Sequence, residues 1–455
     1  MVSPSARRFI QPRDAKRRPD FELQAGIVKP TSTFALASRG QARAFDLCAF
    51  GLPALSFVQV SLIGRLQLAE VLLLVLLPWL RRAPDRLGVP RWFTFLWGAW
   101  FLSQVLTDAV VGSAFADYSR GWAAIIFTLT NFSAIAALVS TPRRARLFGI
   151  GLAFGGVATY FVHPDQFPPG DLWKWAFAIP IGLVLAAVFS GRRGSQARWL
   201  SILVFAGFGA LSLRLDYRSL GAVALLTAAY LVLNGLVGSS SGVVRPSIPR
   251  VLAGALFGLL TAWSVLTLYD TAASGGLLGP EVQTKYQQQS GLLGVVIGGR
   301  SEGLVSTQAI IDSPLLGHGS WAKDFKYVYL LSDRLSTLGY DEQDLAQIYQ
   351  DGLIPTHSYL LGAWVQAGVF GGIFWFVIAL AAVWLLVNFY AVRSSLAPLL
   401  VFSPLLLLWA IAFSPYANAA RLTAPYAIAL CMLGLRQLGA SRELIRMNGM
   451  ARTAR

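Results

Sequence analysis

Three short stretches hold the residues whose types and spacing could do chemistry. The first runs from Arg214 through Asp216 and Tyr217 to Arg218, Ser219 and Gly221. The second is Gly298, Gly299, Arg300, Ser301, Glu302 and Gly303, followed by Asp312, Ser313, Pro314, Leu315, Leu316, Gly317, His318 and Gly319. The third is Pro355, Thr356, His357, Ser358, Tyr359 and Leu360, leading to Gln366, Gly368, Gly371 and Gly372. A guanidinium fork makes bidentate charged hydrogen bonds to phosphate. Arg218 and Arg300 on one face would therefore suit a diphosphate. For Arg214 and Arg218 the bland alternative is snorkelling to lipid headgroups, which is adequate for one of them. His357 stands where a long polar segment meets an apolar one. A lone histidine at a helix start is usually structural, but one beside an aqueous loop can serve as a general base. His318 lies between two glycines in a turn and is ambiguous, and His163 precedes Pro164 as an ordinary loop residue.

Other chemistries leave no trace. The chain has no HExxH, no phosphate-cradling P-loop and no Gly-x-Ser-x-Gly. It has no Asp-x-Asp cluster beside these stretches to hold a divalent cation. A transfer reaction here would have to run without a metal, with positive side chains stabilising a leaving phosphate. The two cysteines, Cys48 and Cys431, lie in apolar runs without ligand spacing, which implies neither a disulfide nor a metal site.

The elements that must position these residues are membrane spans. Hydrophobic residues make up 55% of the 455 and charged residues 13%, about half the charge of an ordinary soluble domain. The net charge of +16 raises nucleic acid as a partner, but the basic residues sit in short clusters between apolar runs rather than on one face. The expected fold is all-α, a polytopic integral membrane protein. Apolar runs fall near 44–63, 66–80, 92–112, 121–140, 145–162, 172–190, 198–213, 220–238, 250–270, 358–390, 396–414 and 421–438. Glu70 is the notable charge within or near a run. If the basic N-terminus is cytoplasmic, alternation puts the large Arg clusters at 81–91, 143–146, 192–198, 245–250 and the C-terminal tail inside as well.

This reading divides the chain into a disordered cytoplasmic tail, 1–43; about nine N-terminal spans, 44–270; a large outer loop, 271–356; C-terminal spans, 357–438; and a basic cytoplasmic tail, 439–455. The N-terminal stretch is not a signal peptide. The second half of the loop is acidic, with Asp333, Asp341, Glu342, Asp344 and Asp351 against Arg334. A connection this long in a compact membrane protein is usually functional.

Taken in order, Arg300, the Pro314-Leu-Leu-Gly-His-Gly319 turn, His357-Ser-Tyr-Leu360 and Gly368-Val-Phe-Gly371 resemble the core of the O-antigen ligase and polymerase superfamily. Tyr217-Arg218-Ser219 resembles that family's Ser-Arg-Gly motif in an earlier periplasmic loop. Ser358 stands where the family usually has Asn, and Ser219 where it has Gly. The resemblance covers about 215–375 in detail and the twelve-span layout as a whole. It implies a membrane glycosyltransferase of the bacterial inner membrane, with an undecaprenyl-diphosphate-linked glycan as donor and a glycan or lipid A core as acceptor. Arg218 and Arg300 would neutralise the diphosphate, and His357 would orient or deprotonate the acceptor. Arg214, His318 and Tyr359 are the further substrate-binding candidates. A flippase and a chain-length regulator are partners by resemblance alone. A flippase or transporter of lipid-linked sugar is the alternative. It predicts charges deep in the spans and broken helices in paired halves.

Overall fold

The computed structural model describes residues 32–61, 64–83, 85–168, 170–192, 194–237, 248–277, 279–289, 302–336, 351–389 and 394–453, with side chains for most of these. They are almost entirely helical. Ser32–Ala54 (α1) leads through a two-stranded hairpin, Gln59–Ser61 (β1) and Arg65–Gln67 (β2), into Leu68–Leu80 (α2). Arg91–Val111 (α3), Phe115–Leu138 (α4), Pro142–Val162 (α5), Ala178–Phe189 (α6), Ser195–Arg214 (α7), Arg218–Val237 (α8) and Ile248–Ser274 (α9) follow. The long loop contributes Pro280–Gln289 (α10), Glu302–Asp312 (α11) and Phe325–Ser336 (α12). Tyr359–Ala367 (α13), Val369–Phe389 (α14), Ala397–Phe413 (α15) and Ala420–Thr453 (α16) complete the chain. The described residues from Ala44 onward form one compact unit.

The chain is a multi-pass membrane protein. Among the described residues seven helices are long and apolar enough to cross a bilayer: α3, α4, α5, α7, α8, Leu252–Ser274 of α9, and α14. The apolar helices Leu68–Leu80, Trp173–Phe189 and Ala397–Phe413 are shorter. At 13 residues, α2 extends only about 20 Å against a hydrocarbon core of about 30 Å. Small residues let the helices approach closely. At Gly209 of α7 and Gly221 of α8, an added Cβ on either would stand 3.1 Å from the other's carbonyl oxygen.

Consecutive helices join at two faces. One face, here the loop face, carries the β-hairpin, the α3–α4 and α7–α8 turns and the long loop. On the opposite face, Arg144 ties α5 to Asp46 of α1 and to Asp85, with Nε–Oδ1 and Nη1–Oδ2 distances of 3.3 Å, and its guanidinium lies 5.0 Å from the Phe45 ring centre. Thr141 caps α5 by accepting from the Arg144 N–H, with Pro142 opening the helix.

Two expectations change. The helix at the N-terminus begins at Ser32 rather than near 44, inside the segment expected to be disordered; residues 1–31 lie outside the described residues. The run 358–390 is two helices rather than one span. Gly368 takes φ +67°, and a Cβ there would meet the Leu315 carbonyl oxygen at 1.9 Å, so only glycine fits the turn. Tyr359, at the start of α13, packs against Trp375 of α14 with ring centres 5.0 Å apart. That places it about six residues, or roughly 9 Å, down α14 from the break. The segment 353–358 therefore dips inward before α13 climbs back. Irregular backbone at such depth is tolerated where it lines a cavity or is buried in protein. Ser358 satisfies the dip by donating its hydroxyl to the Ile411 carbonyl (2.7 Å) and accepting from the Leu361 N–H (3.0 Å) as the helix cap.

Candidate functional site

The dip forms one wall of a cavity of about 810 Å³ open to the loop face. His357, Tyr359, Gln104, Trp100, Trp321, Trp375 and Tyr416 line it, and so do Arg65, Arg120 and Arg421. The floor is built from the tops of α2, α4 and α16. Glu70 is fully buried in the first turn of α2, where its carboxylate accepts from the Gln67 N–H (3.0 Å) in a capping box. Arg421 of α16 meets it with Nε–Oε1 at 2.8 Å and Nη2–Oε2 at 2.9 Å. Asn131 of α4 donates to both the Arg421 carbonyl (2.9 Å) and Glu70 (3.4 Å). Arg421 also donates to the carbonyl of Arg65 in β2, tying the hairpin to the floor. Tyr416 completes it through a hydroxyl contact of 2.7 Å with Thr128.

The opposite wall comes from the long loop. Its described part has a small core of Val305, Ala309, Ala322, Tyr327, Leu331, Leu335 and Ile354, closed by Val365 of α13. The turn 313–319 docks on the end of α13, where the His318 and Gly319 N–H groups donate to the carbonyls of Val365 (2.7 Å) and Gln366 (3.0 Å). Asp108 of α3, nearly buried, anchors the next residue by accepting the Ser320 N–H (2.6 Å) and hydroxyl (2.7 Å). Trp122 Nε1–H (2.8 Å), the Ser113 hydroxyl (2.7 Å) and the Gln104 amide (3.3 Å) donate to it as well. Further out, Asp312 accepts from Lys326 (2.7 Å), Tyr327 (2.6 Å) and Gln308 (2.9 Å), and these hydrogen bonds hold its carboxyl well below the usual carboxylate range. Burial and the adjoining Asp312 push the Tyr327 phenol up.

His357 and Tyr359 thus line the cavity, and His357 stands directly before the Ser358 cap of α13. Its Nδ1 is 3.6 Å from Glu302 Oε1 of α11, too far for a hydrogen bond and close enough for attraction when the imidazole is charged. Arg218 does not line the cavity. It pairs with Asp216 (3.0 Å), and its guanidinium lies 5.2 Å from the Tyr269 ring centre; its neighbour Tyr217 packs on the main core that contains Tyr359. Arg214 is exposed at the end of α7. His318 does not line the cavity either; its Nε2 contacts the Ala309 carbonyl at 2.8 Å and its ring meets Tyr327 edge-on, which makes it a strut of the loop core. Arg300 lies outside the described residues.

Sequence reasoning missed Arg65, Arg120, Arg421 and Asp108. Arg65 and Arg120 fall in the gaps between apolar runs, and Arg421 at the start of one. Asp108 did carry a signal, since Ser103, Gln104, Thr107 and Asp108 cluster in a run that is otherwise mostly apolar and aromatic. No family model, curated protein or solved structure matches the chain.

Proposed function

We propose that this protein transfers a glycan from an undecaprenyl-diphosphate carrier to an acceptor hydroxyl at the periplasmic face of the bacterial inner membrane, both termini being cytoplasmic and the chain crossing about twelve times. The observation that carries this reading is one cavity in which a histidine and three arginines converge at the membrane-facing end of an outer loop. The acceptor hydroxyl gives its proton to His357 as its oxygen forms the new bond to the anomeric carbon. The bond from that carbon to the diphosphate oxygen breaks on the opposite side, which inverts the centre. The electron pair leaves with undecaprenyl diphosphate, whose charge is neutralised by Arg65, Arg120 and Arg421. Glu302 stabilises the imidazolium that forms. Arg218 and Arg300, the arginines favoured by the resemblance, remain candidates on the α8 side of the site and in the loop.

Transfer onto lipid A core makes the protein a ligase, and transfer onto more lipid-linked glycan makes it a polymerase. The test is the polysaccharide profile of a deletion strain carrying wild type, His357→Ala or Arg300→Ala, with equal membrane insertion confirmed. Loss of glycan is expected for His357→Ala, since removing a general base costs on the order of 100-fold or more, and for Arg300→Ala if the loop arginine also neutralises the diphosphate. Accumulated single repeats then mark a polymerase, and long unattached chains mark a ligase. Full restoration by both variants would defeat the catalytic reading.

The transporter alternative draws on two observations of its own. Glu70 and Arg421 form a buried charge pair in the first turns of α2 and α16, and α13 and α14 form a broken pair of helices. Sealed vesicles that move lipid-linked sugar without forming a glycosidic bond would favour it.

A further inference from the structure

The turn from Gly317 to Ala322 contains three residues with left-handed backbone: Gly317 (φ +81°), Gly319 (φ +88°) and Trp321 (φ +50°). Glycine takes this conformation without steric cost, whereas a bulky side chain there is strained. Both flanks of Trp321 are pinned. Ser320 is held by Asp108 through its N–H and its hydroxyl, and the Ala322 carbonyl accepts from the Ile354 N–H at 2.9 Å. A turn that needed only its backbone would do better with a third glycine, so the strain holds the indole itself in place. That indole is not core. It is 42% exposed, lines the cavity and has the Arg120 guanidinium 5.6 Å from its ring centre.

We propose that Trp321 and Arg120 form a carbohydrate-stacking subsite on the loop wall of the cavity, taking one pyranose ring of the glycan in transit. The inference rests on the glycan-transfer reading and adds the surface that recognises the sugar. The axial C–H groups of a pyranose carry partial positive charge and complement the negative face of an indole. Arg120, whose guanidinium lies over the indole, brings N–H groups to the same wall. An indole fixed at both flanks loses little freedom on binding, which favours recognition.

The test uses the full-length protein in lipid nanodiscs. The probes are bare undecaprenyl diphosphate and undecaprenyl diphosphates carrying one to three hexose or N-acetylhexosamine units. Trp321→Gly suits the backbone and so folds, while Trp321→Phe keeps a ring. The expected result is that Trp321→Gly weakens binding of the glycan-bearing probes about tenfold, the scale of a lost stacking contact, and leaves the bare carrier unchanged. Trp321→Phe should stay within about threefold of wild type on every probe. Equal binding of the glycan probes by Trp321→Gly and wild type overturns the subsite. So does an equal loss on bare and glycan-bearing carriers, which marks a general packing or interfacial anchor. A wild type that binds the bare carrier as tightly as the glycan probes also overturns it, and leaves the transfer reading to the His357→Ala profile. A wild type that binds no probe sinks both.

Discussion

Two arginines sit deep in the bundle at opposite ends, and their surroundings differ. Arg144, on the face away from the loop, is enclosed by Asp46, Asp85 and the Phe45 ring, and Arg143 shares Asp46 at 3.1 Å. Two carboxylates there answer two guanidiniums. Arg421, beneath the loop face, has Glu70 as its carboxylate and shares the cavity with Arg65 and Arg120. The first arrangement matches two guanidiniums with two carboxylates, and its work is to fasten α1, the α2–α3 connection and α5. The second brings three arginines to the wall of an open space large enough for a ligand. A buried ion pair costs desolvation and is weak evidence for stability. Where such a pair borders a cavity and fixes a further arginine-bearing strand, it holds charge in position for something that arrives.

The largest effect should come from breaking the open pair. Glu70→Ala leaves Arg421 uncompensated at the cavity floor and should cost about 3–5 kcal/mol. Arg144→Ala leaves Asp46 and the partly solvated Asp85 and should cost about 1–2 kcal/mol. Thermal unfolding of both variants in one detergent orders them. Equal losses would mean that the two arginines are equivalent structural ties.

Next is the response to an anion. Pyrophosphate near 100 times its Kd should stabilise wild type by about 2.7 kcal/mol. The Arg65→Ala, Arg120→Ala double variant should lose most of that gain, and Arg143→Ala should keep it. A gain that survives the double variant would place the anion elsewhere.

Asp108 offers a smaller effect and a local one. The Asp108→Asn change leaves a poorer acceptor for Ser320, Ser113 and Trp122 and should cost about 1–3 kcal/mol. Hydrogen exchange should rise in 317–335 and stay unchanged in α7 and α8. A uniform rise would show that the loop core and the bundle open together.

The sequence made the bundle legible because a membrane span is written in composition. The ten residues Val71–Leu80 are all apolar or aromatic and need no partner to be recognised. It was misleading at 358–390, where composition continues across Gly368 while the helix does not. A helix break depends on one backbone conformation enforced by the distant Leu315 carbonyl. His357 and Tyr359 were found by type and by the change from polar to apolar sequence. Arg65, Arg120 and Arg421 were not, because each comes from a different connection and only the tertiary fold brings them to one cavity. His318 shows the converse. A histidine between glycines resembles a site residue, and the Ala309 carbonyl and Tyr327 ring make it a strut.

The smallest effect belongs to the outer edge of the loop core, and it sharpens the contrast between closed and open charge. Asp312 is exposed, yet Lys326, Tyr327 and Gln308 bind its charged form. Its folded carboxyl is therefore more acidic than its unfolded one, whose ordinary value is about 3.9. The contribution to stability is present above that value and fades as pH falls toward the folded value. Asp312→Asn should open the loop core more readily than wild type at neutral pH, and the gap should begin to narrow below about pH 4 and close only as pH nears the folded value. Hydrogen exchange in 302–335 across that range measures the difference. Salt should reduce it at neutral pH, because the Lys326 pair is exposed and screened. The Arg144 cluster, enclosed by its carboxylates, should respond little to the same salt. A loop edge as salt-insensitive as Arg144 would mean that the Tyr327 and Gln308 hydrogen bonds, rather than the lysine, hold Asp312.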